Sequence, residues 1–139
     1  MAASLGHLPH YEGPAAWRAP DLRERSDWIY SLSASEQAEL LAAAQHTVTD
    51  GVALTQIGRA DFPLPSLGAT LVALQNEVVN GRGFVVLRGL PIDDLSRELV
   101  ARLYLGMGAW LGEPVPQNAQ GHLLGHVKDL GNDPLDPST

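Results

Sequence analysis

The chain has 139 residues, 45% of them hydrophobic, which suits one folded domain with a core and excludes a chain disordered throughout. Its net charge of −7, from 9 basic and 16 acidic residues, comes without any Lys/Arg cluster, so a phosphate-tracking nucleic-acid surface is excluded. Cysteine is absent, which removes disulfides, thiolate metal sites and a cysteine nucleophile. Met1–His10 lacks the basic-then-apolar pattern of a secretory signal, and no apolar run approaches the ~20 residues of a membrane span. A cytoplasmic protein with neither nucleic-acid nor membrane partners is the expectation.

Residues 1–27 are rich in Gly, Pro and charge and read as an irregular arm, with residues 28–139 as the folded unit. Tyr11, Trp17 and Trp28 should pin that arm to the body, because a free tail gains nothing from large aromatics. Ser33-Ala34-Ser35-Glu36 has the spacing of a capping box and opens a first helix, with Leu40, Leu41 and Ala44 as its apolar stripe. The β-branched run Thr47-Val48-Thr49 predicts its end near His46, where an imidazole suits the helix dipole.

Asp61-Phe62-Pro63-Leu64-Pro65 is a loop, after which Ser66 opens a second helix. Leu67, Leu71, Leu74 and Val78 fall on one face of it, and Asn80-Gly81 stops it. Gly83-Phe84-Val85-Val86-Leu87-Arg88-Gly89 is a short apolar run fenced by glycines, the pattern of a strand buried on both faces. Pro91–Asp94 turns the chain out of it. A third helix is expected from about Ser96 to Leu111, with Leu99, Leu103, Met107 and Trp110 or Leu111 inward. Gly106 and Gly108 lie inside it, each costing about 1 kcal/mol against alanine, so something should pack against the backbone there. Gly112 ends the helix, Glu113–Gly121 is a polar loop, His122–Lys128 reads as a second strand, and Gly131–Thr139 is loop.

Gly81-Arg82-Gly83 precedes a strand, whereas a dinucleotide loop follows one, so it is a helix stop and strand entry. His122 and His126 are four apart, but on a strand that separates them by about 13 Å, too far to share a metal. His10-Tyr11-Glu12 has the His-x-Glu form of half a non-haem iron triad, but lies in the arm with no strand to stiffen it. No Gly-x-Ser-x-Gly, phosphate loop or Ser-His-Asp pattern occurs. Residue patterns alone thus give a helix-and-strand domain without visible catalytic apparatus.

Asn80–Pro91, read with Tyr104-Leu105-Gly106-Met107-Gly108-Ala109-Trp110-Leu111-Gly112 and Pro116–Val127, resembles the N-terminal portion of the TauD/TfdA-like family of Fe(II)/2-oxoglutarate-dependent oxygenases. Asp27-Trp28-Ile29-Tyr30 and Asp61–Pro65 fit the same family, so the resemblance runs from about residue 27 to 139. It implies an α+β architecture: a helical flank and the first strands of a double-stranded β-helix, or jelly roll, here incomplete. It also implies Fe(II) and 2-oxoglutarate as cofactors of the full-length enzyme, C–H hydroxylation of a small-molecule substrate, and decarboxylation of 2-oxoglutarate to succinate. The family's His-x-Asp pair, distant His and carboxylate-binding Arg find no counterpart here, so no catalytic, cofactor-binding or metal residue is assigned, and the chain alone should be inactive. In taurine-type members, a His of the loop after the Leu/Phe-Gly helix end contacts substrate. Gln117 and Asn118 occupy that neighbourhood and are the expected pocket-wall residues. A hydrophobic strand lacking sheet partners is expected to favour self-association. The alternative is a non-catalytic binding or regulatory module.

Overall fold

The computed structural model describes residues 11–116 and 118–125. Its elements run in the order α1 (Ala19–Arg23), β1 (Ile29–Ser31), α2 (Ala34–Thr49), a 3-10 turn (Leu54–Gln56), α3 (Leu67–Asn80), β2 (Val86–Arg88) and α4 (Arg97–Leu111). Helices plus a small sheet make the chain α+β. β1 and β2 are parallel, in the register Ile29↔Val86, Tyr30↔Leu87 and Ser31↔Arg88, and the connection between them carries α2 and α3. Helix α4 packs against both α2 and α3 and so forms the centre of the helical layer.

The first helix begins as expected. The Ser33 hydroxyl accepts from the Glu36 amide, and the Glu36 carboxylate accepts from the Ser33 amide at 2.8 Å. Glu36 also accepts from the Tyr30 hydroxyl at 2.6 Å, which ties the helix start to β1. The expected end at His46 is wrong: α2 runs on to Thr49. Thr47 is fully buried, and its hydroxyl donates to the Ala44 carbonyl at 2.8 Å, so tertiary burial overrides the β-branched penalty. The stop comes at Asp50 and at Gly51, whose φ of +66° is left-handed.

Ser66 does precede α3, but its hydroxyl does not cap the helix. Glu39 of α2 does that work: one carboxylate oxygen accepts from the amides of Ser66 and Leu67, at 3.0 and 3.1 Å, and the other takes the Ser66 hydroxyl. An anion at a helix start also suits the dipole. Leu67 and Leu71 are buried and Leu74 partly so, while Val78, expected inward, is exposed.

The strand around Val86 is shorter and more open than expected. It spans three residues, with Val86 and Arg88 exposed and Leu87 half-buried, instead of being covered on both faces. Among the described residues it pairs only with β1. In the predicted strand at His122–Lys128, residues 122–125 are not extended into a ladder; the remainder lies outside the described residues.

The arm is pinned largely as expected. The Trp17 ring meets Phe84 edge-on at 5.0 Å and its indole N–H donates to the Arg82 carbonyl at 2.9 Å. Trp28 lies 5.9 Å from the same Phe84 ring. Tyr11 does not join them, and is exposed. The arm is not wholly irregular, since Pro20 near the start of α1 preorganises a turn of helix. Arg82 links arm and body through Asp27 at 2.8 Å and Glu77 at 2.9 Å.

Gly106 meets the expectation of close packing. A Cβ there would run into the ring of fully buried Phe62, and one at Gly68 would strike the Trp110 ring. A Cβ on Gly108 would meet nothing within 4 Å. Replacement Gly106→Ala is therefore expected to destabilise by about 1–3 kcal/mol through overpacking, whereas Gly108→Ala should stabilise by up to about 1 kcal/mol through helix propensity. Urea unfolding of the two variants checks the opposite signs.

The Asp27 carboxyl titrates well below the usual range because of hydrogen bonds from Arg25 and then Arg82, while Glu77 is lowered by the Arg82 amide and guanidinium and Glu36 by the Tyr30 hydroxyl. Each depressed folded-state value contributes stability that is present above the unfolded carboxylate range and lost as pH falls through and below it. The urea midpoint should thus hold near neutrality and decline below about pH 4.5, less steeply in Arg82→Gln than in the parent chain.

Candidate functional site

The loop after α4 is where the sequence placed a pocket wall. Helix α4 starts at Ser96, whose hydroxyl accepts from the Leu99 amide at 3.2 Å, and ends where the Gly112 amide donates to the Gly108 carbonyl. Its last carbonyls are held from outside: Arg59 donates to the Trp110 carbonyl at 3.0 Å while lying 4.4 Å over the indole ring, and Gln75 donates to the Leu111 carbonyl. The Trp110 indole N–H in turn donates to the Phe62 carbonyl at 2.9 Å. The point from which the loop departs is therefore fixed by three elements, which gives the loop a defined origin.

Asn118 folds the loop onto itself. Its amide oxygen accepts from the His122 backbone N–H at 3.0 Å, and its amide nitrogen stands 3.0 Å from His122 Nδ1. With the oxygen committed to a donor, the NH₂ group faces the ring, and Nδ1 must accept. Gln117, the other expected wall residue, lies outside the described residues. Asn118 and His122 are exposed, so the pair orders a surface loop.

Beside this loop, α4 carries two neighbouring hollows. One, of about 400 Å³, lies among Leu105, Met107, Gly108, Leu111, Glu113 and Val115. The other, of about 410 Å³, lies among Arg97, Val100, Ala101, Leu124 and Gly125. Tyr104 and Leu123 line both.

The remaining histidines and candidate ligands stay apart. His46 sits 3.4 Å from Asp50, one turn on along its helix. His7, His10 and His126 lie outside the described residues, so the His10-Tyr11-Glu12 and His122/His126 readings are left without geometry. Among the described residues no group of three His, Asp or Glu side chains could hold a metal ion, and no helix is long and apolar enough to cross a membrane.

Sequence reasoning missed Arg102. It is buried within α4, binds the Glu98 carboxylate at 3.0 and 3.1 Å, and donates to the Thr47 carbonyl, Thr47 hydroxyl and Val52 carbonyl at 3.3, 3.2 and 2.8 Å. The i,i+4 Glu98–Arg102 spacing was the available signal, but it ordinarily marks a solvent-facing pair.

Comparison with known proteins adds the wider frame. The chain is 27% identical over 128 residues, 91% of its length, to the FR-33289 synthase of Streptomyces rubellomurinus. It is 27% identical over 119 residues, 85% of its length, to a taurine hydroxylase-like protein of Stachybotrys chartarum. These relatives suggest a TauD-like family. No family model matches the chain. The chain spans 38% of the first relative and 31% of the second, so each relative contains far more polypeptide than the part aligned here.

The loop geometry makes a direct expectation. Neutral His122 should be the Nε2–H tautomer, read from its ¹⁵N ring shifts, and Asn118→Ala should release that preference while changing global stability by no more than about 0.5 kcal/mol.

Proposed function

We propose that this chain is part of an Fe(II)/2-oxoglutarate-dependent oxygenase of the TauD/TfdA-like family, in which it forms the helical flank, the first strands of a jelly roll and one wall of the pocket for a small-molecule substrate. The alignment with the two relatives carries the reading, because it extends over 91% and 85% of the chain rather than a short motif. The helical layer supports it as well: α4 is held rigidly at both ends, as a wall against which a pocket can be shaped requires.

The described residues do not themselves fit an iron site, since no three potential ligands converge. In this reading the iron ligands and the group that binds 2-oxoglutarate come from polypeptide outside the described residues, and no chemical step is assigned to the side chains seen here. Their part is positional. The Asn118 amide orders the loop through His122. The open edge of β2 takes further sheet in the complete enzyme; without it, that edge is a place for self-association.

The 139-residue chain, supplied with ferrous ion, 2-oxoglutarate and oxygen, is expected to yield no succinate above a protein-free control. The reading frame beyond Thr139 is expected to encode a His-x-Asp or His-x-Glu pair and a later His, and the longer product to form succinate. Turnover by the short chain, or a continuation lacking those ligands, overturns the reading.

A further inference from the structure

The outer side of α4 has a chemistry that neither the core nor the loop accounts for. Its 410 Å³ hollow is within the range of small-molecule sites, roughly 300–1,000 Å³. The side chains around it are Val100, Ala101, Tyr104, Leu123 and Leu124, with Arg97 as the single charged group. Arg102 is committed to Glu98 and the end of α2, Arg59 to Trp110, and Arg82 to Asp27 and Glu77. Arg97 has neither an ion-pair nor a hydrogen-bond partner among the described residues, and its neighbour Glu98 is taken by Arg102. A guanidinium without a partner among the described residues, at the rim of an apolar hollow, is a local positive spot.

The hollow does not stop at Tyr104. That ring is 59% exposed, and beyond it lies the 400 Å³ hollow over Gly108 and Gly112. A Cβ at either glycine would meet nothing within 4 Å, so the missing side chains leave open space and no internal contact explains them. From Arg97 to Gly108 the helix rises about 16 Å. The slot thus has a cationic end and an apolar run ahead of it.

We propose that this face of α4 binds an elongated amphiphilic anion, a carboxylate or similar oxyanion with an apolar chain. The head takes the Arg97 guanidinium, which can offer two parallel N–H donors to one carboxylate. The chain lies along Val100, Ala101 and Tyr104, under Leu123, toward Gly108. An ammonium amphiphile is the wrong partner for the Arg97 end, where no carboxylate among the described residues lines the hollow; Glu113 lines only the far one. The site needs no iron and stands independently of the oxygenase reading.

The test is an NMR titration of the isotopically labelled 139-residue chain with octanoate, octanol and octylammonium, in the absence of metal. Octanoate should shift Val100, Ala101, Leu123 and Leu124 saturably and bind about three- to fivefold tighter than octanol, the range of a solvent-accessible ion pair. Arg97→Gln should bring octanoate to the octanol level, leaving octanol affinity and thermal unfolding unchanged. Any of four results overturns the proposal: no saturable shifts, equal affinities in the parent chain, an octanoate preference that survives Arg97→Gln, or shifts confined to the separate hollow between α3 and β2, lined by Val78, Val79 and Leu87. So does a second copy occupying the slot, seen as concentration-dependent shifts at Leu123 with a dimer in sedimentation.

Discussion

A buried guanidinium holds the helical layer in register. Arg102 leaves α4 with only a small part of its surface in water and reaches the C-terminal end of α2, where helical carbonyls have lost their intrahelical donors. It satisfies Thr47 and Val52 there, and Glu98 balances its charge from one turn back on its own helix. A charge taken out of water is costly unless paired and fully hydrogen-bonded, so the arrangement tolerates few alternatives. Sliding α4 along α2 would strand the guanidinium against apolar side chains. Leu40, Ala43 and Ala44 of α2 and Leu103 and Met107 of α4 join the same core, where small alanines let the two helices come close.

The same principle, one element completing another, recurs at each junction. Glu39 of α2 caps α3, Tyr30 of β1 holds the capping carboxylate of α2, and Arg59 and Gln75 close the end of α4. Two glycines receive aromatic rings instead of side chains of their own, Gly106 from Phe62 and Gly68 from Trp110. These contacts couple α3, α4 and the loop at Phe62 into one body. The sheet is the exception. A parallel pair of three-residue strands is too small to stand without cover, and β2 exposes Val86 while Val78 and Val79 of α3 remain open nearby.

That imbalance agrees with the comparisons. The aligned stretch is 38% of one relative and 31% of the other, and one of the faces left open here is the sheet side. On the proposed reading, the helical side and its loop are the supporting portion of a larger enzyme. The slot proposed on α4, where Arg97 has no partner among the described residues, is a separate feature of this chain's own surface.

Local signals in the sequence determined the helices. The Ser33/Glu36 box, the Ser96 cap, the Asn80-Gly81 stop and the leucine periodicities depend on interactions within one or two turns, so their spacing is enough to reveal them. Of the two glycines inside α4, the one at 106 meets a close approach, by Phe62, and the one at 108 does not, so a helix-interior glycine alone does not reveal one. What lay at distance had to await tertiary structure. β1 is three residues long and acquires its identity only by pairing with β2, across a connection of more than fifty residues. Thr47 extends α2 because it is buried against α4, Glu39 caps a helix twenty-seven residues away, and Arg102 turns inward because the Thr47 hydroxyl and the Thr47 and Val52 carbonyls come within its reach. The loop at Asn118 showed its amide in the sequence, but whether that amide faces a ligand or its own backbone depends on which donor comes within reach. In the folded chain that donor is His122.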